Sequence, residues 1–561
     1  MEERRLLLAV ALSLLVLVGY SLLFSPPAAP PRPPEETPRP ATTALPSAPG
    51  PEAGAPEEQT VPPPAASPAA PPLADHLERR VEVVAPDYAV AFTNRGAGLV
   101  SWTLARYRDG RGRPEEMVPA HGPRRRPFEL ETGDAELDGR LHQALFVASA
   151  EQVTVAGEEP QTLRFAFSDG EVEAEKTLVF RSHGLVAVTA ALRRGGKPLP
   201  CRLVWGPGVG NPTPEDREVQ GYQEPRGVAL GTSGIEHLEA AKLPPSGRAL
   251  SGVRWVGVES HYFAALFVAT SGETVARVLA ETTQAGPEDK PRIEPLVLVD
   301  MSPTEPALVF VGAKDYQALE RLGHELQRVV PVGDWIGPIV VALMGLLRWV
   351  QGLVGNWGWS IVLLTILINL AMAPFRHYSI VNGLKMARLS PEMRVIQERY
   401  RKVPLMDPKR QKMQEEIQAL YAKHGMSMGS QMMVGCLPLL LTMPFLFAFY
   451  RVLSVSVELR GASFLWIPDL AQKDPLFLTP VLMGVSMFVM QKMTPSTMDP
   501  AQQRIMMLMP LMLAGMFLWA PSGLNLYWLT ANLWSIAQQF VEMRVLQPAE
   551  GPRAGRERRA K

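Results

Sequence analysis

The chain has 561 residues, with 56 lysines and arginines against 56 aspartates and glutamates, so its formal net charge at pH 7 is +0. That length allows two or three domains, and the balanced charge points to no partner by bulk attraction. Two cysteines, Cys201 and Cys436, lie far apart and supply neither a disulfide framework nor a zinc spacing. The 54 prolines crowd the early part of the chain and the 25 methionines the late part, so the regions differ in kind.

Residues 6–24 form a continuous apolar run preceded by Arg4 and Arg5. Roughly 20 apolar residues span a bilayer, and the arginines hold the start of the run on the cytoplasmic side. Residues 1–24 therefore read as an uncleaved membrane anchor. The rival is a cleaved signal peptide, but the small-residue site at Ala28 and Ala29 is hemmed in by prolines. Residues 25–75 are rich in Pro, Ala and Glu and carry almost no large apolar side chains. They cannot bury enough surface to offset ordering entropy and read as a disordered linker.

Residues 76–330 carry strand signals. Alternating stretches include Val81-Glu82-Val83-Val84, Leu163-Arg164-Phe165-Ala166-Phe167, Lys176-Thr177-Leu178-Val179-Phe180 and Val186-Ala187-Val188-Thr189. Turn clusters such as Ser168-Asp169-Gly170 separate them. The pattern predicts a large antiparallel β-sandwich outside the cytoplasm. It holds no phosphate loop, nucleophile elbow or zinc-protease pair, so a structural or peptide-binding module is preferred to an enzyme, with His261 packed in a strand. Residues 315–328 read as helical. Residues 331–355, with Trp335, Arg348 and Trp349, read as an amphipathic helix lying in the membrane interface.

Five long apolar segments follow, at about 357–375, 433–453, 476–491, 505–519 and 523–541. None has Asp, Glu, Lys or His in its interior, and such charges usually mark ion paths or active sites inside a membrane. Together they make a core at 356–543, interrupted by a basic insert at 376–430. Between residues 376 and 423 the insert carries eleven lysines and arginines against five acids. Lys492 and Arg504 precede the fourth segment, and a basic tail occupies 544–561. By the positive-inside rule the insert, the connection, the tail and the N-terminus are cytoplasmic. The insert reads as an antiparallel hairpin. One helix covers 380–401, with Ser390-Pro391 starting a fresh turn, and another covers 408–424, with Asp407 as its N-cap.

The core motifs are specific. They include Gly355-Asn356-Trp357-Gly358-Trp359-Ser360, Met372-Ala373-Pro374, Gly435-Cys436-Leu437-Pro438-Leu439-Leu440, Ser456-Val457-Glu458-Leu459-Arg460 and Phe464-Leu465-Trp466-Ile467-Pro468-Asp469-Leu470. Gln491-Lys492-Met493, Asp499-Pro500, Phe517-Leu518-Trp519 and Pro521-Ser522-Gly523-Leu524 continue the order. With these motifs the chain resembles the YidC family of membrane protein insertases in its Gram-negative inner-membrane form. The resemblance implies a multi-domain membrane protein: an N-terminal anchor, a periplasmic β domain, a five-helix transmembrane core and a cytoplasmic helical hairpin. It implies insertion of nascent inner-membrane proteins, alone or with the Sec translocon, through a polar groove open to cytoplasm and lipid. No catalytic residue, cofactor or metal is implied. One position departs from the family, which typically carries an arginine four residues after the threonine matched by Thr365; here that residue is Asn369.

The groove also has a reading from spacing alone. Thr365, Asn369, Met372 and Arg376 fall on one face of the first core helix. Asn525, Trp528, Asn532, Ser535 and Gln539 repeat the pattern in the last. Two polar stripes on otherwise apolar spans suggest a shared wet surface; interhelical hydrogen bonding is the plainer alternative. Arg376, one repeat beyond Asn369 and leaning back toward the membrane, is a candidate replacement for the missing arginine; an ordinary arginine at the cytoplasmic interface is the plainer alternative. Met483, Met487 and Met490, with Met512, suggest a pliable apolar slide. Pro438, Pro444, Pro480 and Pro510 suggest local bends. The basic hairpin and tail suit anionic lipid or the ribosome, and no DNA partner is expected. A small-solute transporter or channel would need intramembrane acids or internal repeats. An intramembrane protease would need a nucleophile or paired acids, and all nine histidines lie outside the spans. A scaffold for translocation machinery is compatible with insertion.

Overall fold

The structure is a computed structural model that describes residues 71–400, 409–424, 443–494 and 500–546, apart from short stretches at 121–124, 158, 183–184, 220, 271, 285–290 and 334. The anchor, most of the linker, the hairpin turn with Asp407, the motif at 435–440 and the tail beyond Leu546 lie outside the described residues.

The expected strands form where the alternation places them. Arg80–Val84 buries Val81 and Val83 and exposes its other residues. Val172–Phe180 buries every second side chain along its length. The largest sheet has ten strands. Its order is Gly234–Leu238, Arg226–Gly231, Trp255–Glu259, Phe263–Val268, Ala307–Ala313, Leu185–Arg194, Val172–Phe180, Gln161–Ser168 and Val147–Ala148, with Lys197–Leu199 added to Leu185–Arg194. Two five-stranded sheets complete the domain. All pairings are antiparallel among the described residues except one, Arg80–Val84 with Gln152–Thr154.

His261 corrects one expectation. It sits in the connection between Trp255–Glu259 and Phe263–Val268, not in a strand. From there it reaches the helical part of the molecule.

Seven helices build that part among the described residues: α1 (Gly337–Val354), α2 (Trp357–Arg399), α3 (Lys409–Lys423), α4 (Met443–Val455), α5 (Leu478–Met493), α6 (Pro500–Met516) and α7 (Ser522–Leu546). Helix α1 buries Val340, Leu343, Met344, Leu347 and Val350 at helical spacing and leaves Trp349 and Leu353 exposed. It packs against α2. Asn356 starts α2, its side chain accepting the Trp359 N–H at 3.1 Å, which satisfies one of the free donors of the first turn.

Helix α2 departs from the sequence reading. The first span and the first hairpin arm were expected as separate helices, but they form one 43-residue helix with Pro374 and Pro391 inside it. At 1.5 Å per residue it is about 65 Å long, twice the thickness of a hydrocarbon core. Its far end pairs with α3. Leu389, Met393 and Tyr421 form a small apolar cluster, and Glu416 accepts from Arg399 and Tyr400. Pro480 also differs from expectation. It is the third residue of α5, where no helical hydrogen bond is lost, whereas Pro510 is internal to α6.

Helix α7 packs against both α2 and α5, and α5 packs against α6. Gly484 of α5 lies so close to α6 that an added Cβ would meet the Ala514 Cβ at 2.7 Å, a small-residue contact of the kind that lets helices approach in lipid. The outer surface is apolar: Leu363, Leu367 and Leu370 on α2, Val485 on α5, Leu511 on α6 and Leu533 on α7 are all exposed. Helices α1 and the first part of α2 are long and apolar enough to cross a membrane; α4, α5 and the 506–519 stretch are shorter apolar helices. One contiguous apolar cluster runs from the β domain through α1, α2, α4 and α7.

Candidate functional site

The polar stripes of α2 and α7 turn inward. Thr365, Asn369, Asn525, Asn532 and Gln539 are all buried, and Arg376, Trp528 and Ser535 are half-buried. The spacing of the two stripes thus corresponds to interior positions on both helices.

Some of their hydrogen bonds stay within the helix or the segment next to it. The Thr365 hydroxyl donates to the Ile361 carbonyl at 2.6 Å, and Asn369 Nδ2 donates to the Thr365 carbonyl at 2.7 Å. Asn525 Nδ2 donates to the Phe517 carbonyl at 3.2 Å, while its Oδ1 is buried with no hydrogen-bond partner among the described residues. Trp528 stands edge-on to Phe517, ring centroids 4.5 Å apart. An acceptor left unmet in a buried place is costly, by about 1–3 kcal/mol, and marks a spot where water or a polar chain would be welcome.

Other bonds cross between helices. Asn532 Nδ2 donates to Ser486 Oγ of α5 at 3.1 Å, and Ser486 in turn donates to the Met483 carbonyl. Arg376 donates to Ser535 Oγ. Gln538 Nε2 donates to the Ala373 carbonyl at 3.1 Å and to Glu542 at 2.8 Å, with His377 3.3 Å from Glu542. Ser486, Gln538, Glu542 and His377 are site neighbours that the two polar stripes do not include. Ser486 gave no signal, being one serine in an apolar helix. Glu542 lay one residue beyond the expected span.

The methionines do not form the single expected slide. Met483 is fully enclosed, on the face where Ser486 meets α7, and Met487 and Met490 are half-buried. Met512 of α6 is 74% exposed and turns outward. The spacing was right within α5, but the rotation of α6 relative to it was not readable from either segment alone.

A second polar region lies where the β domain meets the loop 456–475 between α4 and α5. His261 Nδ1 accepts the Gln223 N–H at 3.3 Å, and Nε2 faces the Ser454 carbonyl at 3.0 Å. A ring held between a donor and an acceptor is neutral, with its proton on Nε2. Burial, with help from Lys314, pushes its pKa down to about 4. Arg348 of α1 pairs with Asp315 and Glu458. The Arg460 side chain is largely covered where it meets Glu115 and Asp216.

The described residues contain no group of three or more His, Cys, Asp or Glu side chains placed to hold a metal ion. The model of the 60Kd inner membrane protein family matches residues 349–549, and that of the YidC periplasmic domain matches residues 80–345. Membrane protein insertase YidC of Geobacter metallireducens is 32% identical over 553 residues, covering 96% of this chain and 97% of the relative. The Geobacter sulfurreducens protein of the same name is 32% identical over 558 residues, covering 98% and 99%. Among solved structures, an active YidC insertase with its first transmembrane domain resolved is 17% identical, with a TM-score of 0.34, covering 83% of this chain and 93% of that one.

Proposed function

The chain belongs to the YidC family of membrane protein insertases, and on that footing we propose that the face shared by α2 and α7 is the groove that receives the polar segments of a nascent membrane protein. The protein is an inner-membrane insertase with a periplasmic domain, and its substrates are nascent membrane proteins. The observation that carries the groove reading is the run Thr365, Asn369, Asn525, Asn532. These side chains are buried inside the bundle, yet Thr365 and Asn369 bond only within their own helix, Asn525 bonds the Phe517 carbonyl just ahead of its helix, and Asn525 Oδ1 is unmet. Polar side chains acting only as glue would bond across helices.

The mechanism is a lowering of the cost of moving polar backbone and side chains into lipid. A buried polar group without a partner costs several kcal/mol in hydrocarbon. A groove offering amides and hydroxyls supplies partners while the apolar segment of the substrate leaves sideways. Arg376 gives this groove its positive charge in place of the family arginine that is absent at Asn369. It bonds Ser535 and forms no ion pair among the described residues, so it is available to an acidic substrate segment. Met487 and Met490, half-buried, adapt to varied apolar chains.

Topology follows from charge. The hairpin of α2 and α3 and the tail face the cytoplasm, with both termini there. Helix α1 lies at the periplasmic interface, held by Arg348 to Asp315 at the end of the β domain and to Glu458 in the loop. The basic hairpin and tail contact the ribosome and anionic lipid, and the Sec translocon is a working partner. The test is insertion of matched substrates with acidic or neutral translocated tails. Arg376→Ala is expected to slow the acidic ones about tenfold, the worth of roughly 1.4 kcal/mol, and to spare the neutral ones. Unimpaired acidic insertion by Arg376→Ala, with loss in Asn369→Ala, would overturn the assignment.

A further inference from the structure

Arg460 lies in the loop 456–475 and reaches the β domain across a large span of sequence. It bonds Glu115 and, at 3.2 Å, Asp216. Its guanidinium lies 5.4 Å from the Phe263 ring and 6.0 Å from the Tyr262 ring. The side chains of Arg460, Glu115 and Asp216 are respectively 8%, 1% and 7% exposed. Charges removed from water this far hold their place strongly, because losing one partner leaves the others buried and unpaired. Gln472 of the same loop donates to Asp216 at 2.6 Å.

The other side of the loop is keyed to the groove helices. The Ser522 N–H donates to the Gln472 carbonyl at 2.7 Å, and the Gly523 N–H donates to the Leu470 carbonyl at 2.9 Å. Those are first-turn donors of α7, so the loop caps the helix that carries Asn525, Trp528 and Asn532. Asn356 Nδ2, at the start of α2, donates to the Ser463 carbonyl at 3.1 Å. Phe464 lies against Gly358 so closely that an added Cβ would stand 2.2 Å from its ring. Loop 456–475 is thus fixed to the first turns of both helices that bound the groove, and to the β domain above them.

We propose that this loop is the periplasmic lid of the groove, and that the β domain keeps it shut through Arg460. Arg460 is a positioning residue: it touches no substrate and acts through the loop backbone. The lid rests on the groove reading of α2 and α7, which the test separates from it. Lys473 and Glu218 form a similar but exposed pair across the same joint, and serve as the control.

The experiment uses the full chain in membrane vesicles, with Cys201→Ala and Cys436→Ala removing the native thiols and Thr365→Cys placing a near-isosteric thiol about 12 Å below the start of α2. A charged maleimide that cannot cross membranes is applied from either side. With Arg460 intact, the thiol is expected to react from the cytoplasmic side and hardly from the periplasmic side. Arg460→Gln, and separately Glu115→Gln with Asp216→Asn, are expected to raise the periplasmic rate at least ~10-fold, as loss of a buried pair would. Arg460→Lys is expected to restore most of the closure, and Lys473→Gln to stay within about twofold. The acid variants leave the loop's own residues untouched, so they test the joint if Arg460→Gln misfolds. A thiol reactive from the cytoplasm but still closed to the periplasm in both clamp variants would overturn the lid. A thiol unreactive from both sides would overturn the groove, and the lid with it.

Discussion

The groove between α2 and α7 and the joint above it are both polar and buried, yet they are built oppositely. In the groove, Thr365 and Asn369 bond their own helix, the bonds that do cross helices join uncharged partners such as Asn532 and Ser486, and the one arginine has no acid among the described residues. At the joint, Arg460 meets two carboxylates from residues more than 200 positions away. Paired charges across elements fix a geometry; uncharged, locally satisfied side chains leave a surface free to exchange partners. On the proposed reading, the first face is a floor that accepts many sequences and the second a roof that does not move with each of them.

The sharpest way to break this contrast is to measure what each region contributes to stability. Arg460→Met is expected to cost about 3–5 kcal/mol in thermal unfolding of the detergent-solubilised protein, since two buried carboxylates lose their cation. Asn369→Leu is expected to change stability by less than about 1 kcal/mol, while lowering insertion. If the two changed unfolding equally, the regions would not differ in kind.

Acid probes the joint from another side. His261 is neutral in the fold with its pKa pushed down to about 4, against an ordinary value of 6.5. Below 6.5 the unfolded chain takes up a proton that the folded chain refuses. The stability this contact gives is present above pH 6.5 and is lost as pH falls toward 4, by up to roughly 3 kcal/mol. Unfolding midpoints at pH 7.5 and 5 are expected to differ more for the native protein than for His261→Gln. Next in size is Gly358→Ala, which forces the Phe464 ring to shift. Its expected cost is about 1–3 kcal/mol, with faster proteolysis of the loop as the readout. The smallest effect belongs to Asn532→Ala, which removes one bond to Ser486 and is expected to cost about 0.6 kcal/mol.

What was readable in the sequence was what repeats locally. Strand alternation placed Val172–Phe180 and Leu185–Arg194, and the three-four spacing placed Thr365, Asn369, Asn525 and Asn532 on interior faces. The continuity of α2 was not readable, because the apolar run ends at 375 and the basic hairpin pattern starts at 380, with nothing local to join them; the structure runs one helix through both. Arg460 appeared only as part of a motif. Its partners Glu115 and Asp216 belong to a different domain, and no local pattern announces a contact of that range. That Met512 turns away from the methionines of α5 was hidden for a related reason: the spacing within a helix does not say which way its neighbour is turned.

The central claim is that substrate occupies the face shared by α2 and α7. The most direct measurement is photo-crosslinking from a reactive amino acid at positions 369, 376 and 528, compared with outward positions 511 and 512, to a ribosome-bound nascent membrane protein. The expected result is strong crosslinking of the polar translocating segment at the first three and little at the last two. Crosslinks absent from all three inward positions, or equally strong at 511 and 512, would contradict the account.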